Sequence, residues 1–195
     1  AVGYRIRSLD AGCCGALHAH NGYLEIAKSM SDRLKSQAGN TLILTNSAGC
    51  GSFLKEQGLP VKDISEFLLE NGLPELLAQG PGFPHAITYH DACHLCHAQG
   101  IRTAPRALLE AIPNLKLISL QDSEQCCGSA GIYQTLQPEF ATKLQTQKIQ
   151  RIKETGAKFL VQGNPGCHSW IQQGLELSNV PVQVVHLAEL LNQAI

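Results

Sequence analysis

Two copies of the tripeptide Cys-Cys-Gly, at residues 13–15 and 126–128, constrain this chain more than any other feature. Neighbouring cysteines are poorly placed to pair with one another, because the bridge would close a strained eight-membered ring. Each can instead present a thiolate to a metal centre. The first pair is followed at a distance by Cys50 and the second by Cys167, and Cys93 precedes the second. Soft sulfur ligands side by side, with more arriving from distant segments, read as a metal or iron–sulfur site.

The 195 residues fit one large domain or two small ones, and an apolar content of 44% suffices for a sizeable core. A net charge of −1 with no basic run argues against nucleic acid as a partner. No apolar run reaches the roughly 18 residues of a membrane span. The opening residues, Ala1 to Arg7, lack the apolar core of an export signal, so a cytoplasmic location is expected. In that reducing compartment cysteines bind metal or do redox chemistry more often than they form disulfides.

Read in order, strand and helix patterns alternate. Tyr4–Leu9 alternates like a strand, and residues 17–38 carry apolar residues at helical spacing up to Gly39-Asn40. Thr41–Asn46 reads as a buried strand running into a short helix that ends near Gln57. Asp63 is placed to cap a helix through Glu70, with Glu66 three residues on as in a capping box. Gly80-Pro-Gly-Phe-Pro84 is the clearest breaker. Beyond it come strands over 86–90, 115–120, 158–162 and 182–185. Helices are expected over 105–111, 138–155 and up to Gln173, with a last one from His186.

The two halves align. Gly12-Cys-Cys-Gly15 answers Gln125-Cys-Cys-Gly128, and Asn46-Ser-Ala-Gly-Cys50 answers Gly163-Asn-Pro-Gly-Cys167. The expectation is an α/β protein of two tandem Rossmann-like repeats, with parallel sheets flanked by helices and related by internal duplication. The repeats would span residues 1–80, truncated at its N-terminus, and 85–195, complete.

Each cysteine group falls just past a predicted strand, where open parallel sheets gather their ligand sites. Cys50 and Cys167 also fall near helix starts, which favour a thiolate. The second half offers Cys93, Cys126, Cys127 and Cys167, a full set of four thiolates for a [4Fe–4S] cluster. The first half offers only Cys13, Cys14 and Cys50. Zinc is the rival metal, disfavoured because the Cys-x-x-Cys at 93–96 has no partner pair. Cys96 reads equally well as a small buried residue. His18, His20, His94 and His97 read first as surface or hydrogen-bonded histidines, and second as groups beside a cluster that tune its potential or pass a proton. No Ser-His-Asp set, phosphate loop or carboxylate pair is present, and Asp91 and Glu124 are isolated acids.

Paired Cys-Cys-Gly units of this kind resemble the cysteine-rich domain of heterodisulfide reductase and its relatives. The phrases Tyr89-His-Asp-Ala-Cys-His94, Cys126-Cys-Gly-Ser-Ala-Gly-Ile-Tyr133, Gly163-Asn-Pro-Gly-Cys167 and Cys13-Cys-Gly-Ala-Leu-His-Ala-His20 are similar to the iron–sulfur subunit of glycolate oxidase (glycolate dehydrogenase). That resemblance implies electron transfer rather than catalysis by this chain. FAD would sit on a partner subunit that oxidises glycolate to glyoxylate, and electrons would leave towards a quinone or other membrane acceptor. A position at the inner face of the cell membrane would follow. Such subunits carry an N-terminal ferredoxin-like region that this sequence lacks. Phe53 and Trp170 stand where heterodisulfide reductase relatives end a Cys-x-x-Cys. An ordinary four-ligand cluster is therefore expected over a noncubane one with five cysteine ligands. The rivals are a lactate-oxidising or heterodisulfide reductase-like subunit, or a zinc-stabilised module without catalysis.

Overall fold

A computed structural model describes residues 2–10 and 12–195. In chain order the elements are α1 (Ala16–His20), α2 (Leu24–Ala38), β1 (Ile43–Thr45), α3 (Ala48–Glu56), β2 (Val61–Asp63), α4 (Ile64–Glu70) and α5 (Leu73–Leu77). There follow β3 (Ala86–Tyr89), a π turn (His94–Ala98), α6 (Ala104–Glu110), β4 (Lys116–Ile118), α7 (Tyr133–Leu136) and α8 (Pro138–Thr155). The chain closes with β5 (Phe159–Gln162), α9 (Pro165–Leu177), β6 (Gln183–His186) and α10 (Leu187–Gln193).

The strands form two parallel sheets, a pair β1-β2 and a four-stranded sheet ordered β4-β3-β5-β6. This is the α/β class, with parallel sheets flanked by helices, that the alternating pattern predicts. Residue alternation along a strand sends successive side chains to opposite faces, and here both faces of the larger sheet are covered. Leu160 and Val184 pack on one face with Ile149, Ile152, Ile171 and Leu175 of α8 and α9. Val161 and Val185 pack on the other with Leu108, Leu109, Leu190 and Leu191 of α6 and α10. A third cluster joins Ala27, Leu34, Ile43, Phe53 and Val61 around the smaller sheet. Each fully buried aliphatic side chain contributes about 1.5–3 kcal/mol.

Leu73 and Leu77 of α5 belong to the same core as Ile87 and Leu108, so packing runs across the 80–84 breaker. Parallel sheets also bring the segments that follow β1, β3, β4 and β5 to one edge, and Cys50, Cys93, Cys126, Cys127 and Cys167 lie in those segments.

Several local expectations are met closely. Asp63 caps α4 with both arms of the capping box in place, and α8 occupies 138–155 with Gly156 left-handed at its end. Others are revised. Tyr4–Leu9 is irregular, not a strand, and Tyr4 and Ile6 are exposed. A strand needs a ladder; β4 has β3 beside it, whereas 4–9 has no neighbouring strand among the described residues. The helix expected over 17–38 is two, broken where Gly22 takes a left-handed φ of 84°.

Candidate metal centre

Seven of the eight cysteines line a single cavity of about 450 Å³. Cys13 and Cys14 enter from the loop before α1 and Cys50 from the first turn of α3. Cys93 enters from the end of β3, Cys126 and Cys127 from the loop after β4, and Cys167 from the first turn of α9. The sequence predicts two cysteine sets; their opening onto one shared cavity is a tertiary fact that spacing does not give. The eighth, Cys96, is buried outside it, with its thiol near the backbone oxygens of Asp91 and Cys93.

The two Cys-Cys-Gly loops have the same local geometry. Gly15 and Gly128 both take φ of 95°, and each amide donates to the sulfur two residues back, at 3.5 Å to Cys13 and 3.3 Å to Cys126. Both glycines lie against helix backbone. A Cβ would stand 2.7 Å from the Ala27 oxygen of α2 in the first loop, and 2.5 Å from the Ala141 oxygen of α8 in the second. Glycine is required twice over, for its φ and for its lack of a side chain.

The sulfur atoms touch. Cys14 Sγ lies 3.1 Å from Cys50 Sγ. The Cys14 thiol is pushed up because it donates to Cys50, and Cys50 is drawn down to about 6 as the acceptor. In the second half Cys126 is drawn far down by the thiols of Cys127 and Cys93, while Cys127 and Cys93 rise as its donors. Cys167 falls well below the ordinary thiol range, first because Cys127 donates to it, then because the His90 ring stands beside it, and last because the Asn164 amide donates to it at 3.4 Å. Donor and acceptor thiols thus stand in contact in both sets. A soft cation displaces thiol protons and is held by the same atoms, so the donor set fits a thiolate-ligated metal or an iron–sulfur cluster. Around the second set, Trp170 Nε1 donates to the Cys127 carbonyl at 3.0 Å.

Three residues missed in the sequence shape the second set. His90 is fully buried just past β3; its Nδ1 lies 3.0 Å from the Ser123 carbonyl, and its Nε2 has no hydrogen-bond partner. One ligand atom from each of His90, Cys127 and Cys167 lies within 4.8 Å of the others. Lys148 of α8 is buried with its ammonium 2.7 Å from the Asp122 carbonyl and 3.4 Å from that of Ser123. Burial holds its pKa down at about 8. Asn164, besides reaching Cys167, accepts from the Gly49 amide at 3.2 Å and so joins the two sets. All three lie at strand ends or helix faces; burial distinguishes His90 and Lys148, and its two partners distinguish Asn164.

Of the histidines singled out by sequence, His20 and His94 lie on the cavity wall and stack on each other, centroids 4.9 Å apart. Burial, then the second ring, lowers the His20 pKa. His97 lies outside, beside Arg102 and Glu124. Among the described residues no helix is long and apolar enough to cross a membrane.

Fold and site together define an α/β protein that gathers thiols from separate strand ends and helix starts at one cavity. Residues 2–55 and 87–172, more than half the chain, match the family described as Cysteine-rich domain (CCG), and the chain belongs to that family. It is 32% identical, over 95% of its length, to a probable glycolate oxidase iron-sulfur subunit of Bacillus subtilis, and spans 46% of that protein. It is 33% identical over 93% of its length to a subunit of the fumarate reductase (CoM/CoB) of Methanothermobacter marburgensis, spanning 38% of it. With lactate utilization protein A of Oceanobacillus iheyensis it shares 30% identity over 92% of its length, and it spans 80% of that protein.

Proposed function

We propose that this chain is the cluster-bearing part of an iron–sulfur electron-transfer subunit in a flavin-linked oxidoreductase that acts on a 2-hydroxy acid, glycolate or lactate. The observation that carries the reading is the convergence of seven thiols on one cavity. The names of the relatives support it, since they speak of an iron-sulfur subunit, of a reductase subunit and of lactate utilization.

In this reading Cys93, Cys126, Cys127 and Cys167 hold a [4Fe–4S] cluster, and Cys13, Cys14 and Cys50 supply part of a second site. The repeats at 1–80 and 85–195 are the units carrying them. The cluster when bound supplies one-electron storage and transfer. The protein's part is to fix the sulfurs, to donate amides to them at Gly15 and Gly128, and to shield them from water. Oxidation of the hydroxy acid belongs to FAD on a partner subunit, and the electrons pass on to a quinone or other membrane acceptor.

The test is iron, acid-labile sulfide and zinc content after anaerobic reconstitution, with Cys127→Ser in parallel. About four iron and four sulfide per chain, lost in the variant, support the reading. One zinc without iron would replace it with a zinc-stabilised module.

A further inference from the structure

We propose that His90 is a metal ligand of the second-half centre, offering the lone pair of Nε2 alongside the cysteine thiolates. The proposal rests on the reading of the cavity as a metal centre and deepens it. It adds a nitrogen to the four sulfurs, so that one iron takes His90 in place of a thiolate, in a set that is mixed rather than all-sulfur.

Three observations converge. First, His90 is fully buried, and an imidazole left without its hydrogen bonds in such a place costs free energy unless both nitrogens have a use. Second, Nδ1 faces the Ser123 carbonyl at 3.0 Å, and a carbonyl only accepts, so Nδ1 carries the proton. In the neutral ring that fixes Nε2 as a bare lone pair, and Nε2 is the nitrogen without a partner. Third, a ring nitrogen of His90 and the sulfurs of Cys127 and Cys167 lie within 4.8 Å of one another, all three residues buried. With Nδ1 occupied, Nε2 is the atom left to converge with them.

A carbonyl behind one nitrogen and a metal before the other is the arrangement that orients a metal-bound histidine. Ser123 is itself held in place, since the Lys148 ammonium sits 3.4 Å from its carbonyl oxygen and Arg106 reaches its hydroxyl at 3.4 Å. The strand end that carries His90 is pinned by its amide to the Val161 carbonyl at 2.9 Å. Iron, cobalt and zinc all accept imidazole with thiolate.

The experiment uses the whole chain, reconstituted anaerobically with ferrous iron and sulfide, reduced with dithionite, and carrying 15N-histidine. Nitrogen couplings are read by pulsed electron–nuclear double resonance. The expected result is a directly bonded nitrogen coupling that changes with the label and is lost in His90→Ala and His90→Gln. His90→Gln keeps an N–H for Ser123, and circular dichroism checks that it folds; if neither variant folds, absence of a histidine coupling in the labelled wild type still overturns the proposal, and the cobalt titration of the wild type with its histidine bands supports it. A cluster with full iron content and no such coupling, or one whose coupling survives in a folded variant, overturns the proposal. Cobalt(II) binding to the metal-free chain separates this proposal from the iron–sulfur reading. Loss of even an outer partner costs 10–100-fold in metal affinity, so His90→Gln should weaken cobalt at least about tenfold and shift its d–d bands. If iron and sulfide fail to load while that cobalt result holds, the iron–sulfur reading falls and the ligand assignment stands. Unchanged cobalt affinity in the variant, or binding of neither metal by the wild type, overturns it.

Discussion

Asn164 joins the two cysteine sets through one side chain, its oxygen accepting from the Gly49 amide at 3.2 Å and its amide donating to Cys167 Sγ at 3.4 Å. Around it Ala48 donates to the Gly163 carbonyl at 3.2 Å, and His186 Nε2 lies 2.8 Å from the Asn46 carbonyl. Asn164→Ala leaves the Gly49 amide without its acceptor beside the helix turn that carries Cys50. An unmade hydrogen bond of this kind costs about 1–3 kcal/mol. Denaturant unfolding should show that loss, and hydrogen exchange should quicken at residues 48–51. Asn164→Asp restores the acceptor but not the donor to Cys167. It should recover much of the stability while metal loading stays reduced.

Gly128→Ala should be far more damaging than Gly58→Ala, although both glycines have positive φ. Gly58 has φ of 72° and open space where a Cβ would go, so its substitution costs only backbone strain, about 1–2 kcal/mol. At Gly128 the same strain is joined by a Cβ 2.5 Å from the Ala141 oxygen in a helix that cannot yield. The loop must shift and take Cys126 and Cys127 with it. Urea midpoints and iron content of the two variants check this. Equal midpoints, with metal retained, would contradict the assignment.

Lys148→Met should destabilise the chain even though methionine suits a buried site. The ammonium satisfies the Asp122 carbonyl at 2.7 Å, and methionine leaves that oxygen without its partner. The expected cost is about 1–3 kcal/mol, read as a lower urea midpoint with an unchanged slope. The loop 121–125 should also become more open to protease, since Lys148 and Arg151 of α8 both hold it, Arg151 through Asp122 at 2.8 Å.

The sequence is most legible where a signal is local. Pro138 at a helix start, Gly156 at its end, and Asp63 with Glu66 in a capping box are each decided within a few residues, and α8 and α4 stand where these signals place them. The strand Val61–Asp63 is illegible because three residues carry no periodicity; it exists because Ile43–Thr45 lies beside it. Tyr4–Leu9 fails for the converse reason, a strand pattern with no neighbour. At the site the cysteines announce their chemistry through identity and spacing. Their shared cavity, and the roles of His90, Lys148 and Asn164, depend on burial and on partners as far as 115 residues away.

Asp63 sets a pH dependence that lies apart from the cysteines. Its carboxyl caps α4, accepting from the Ser65 amide at 2.9 Å, and burial raises its pKa above the ordinary value. The folded chain therefore holds that proton more tightly than the unfolded chain does. This contribution to stability is fully present below the unfolded pKa, about 3.9, and is lost as pH rises through the higher folded value. Asp63→Asn keeps an oxygen for the Ser65 amide, as asparagine is a good cap, but cannot ionise. The variant should gain stability relative to wild type as pH rises from about 4 to neutrality. The measurement is urea unfolding of both proteins across that range. A difference that stays flat, or narrows as pH rises, would show that Asp63 is not the group responsible.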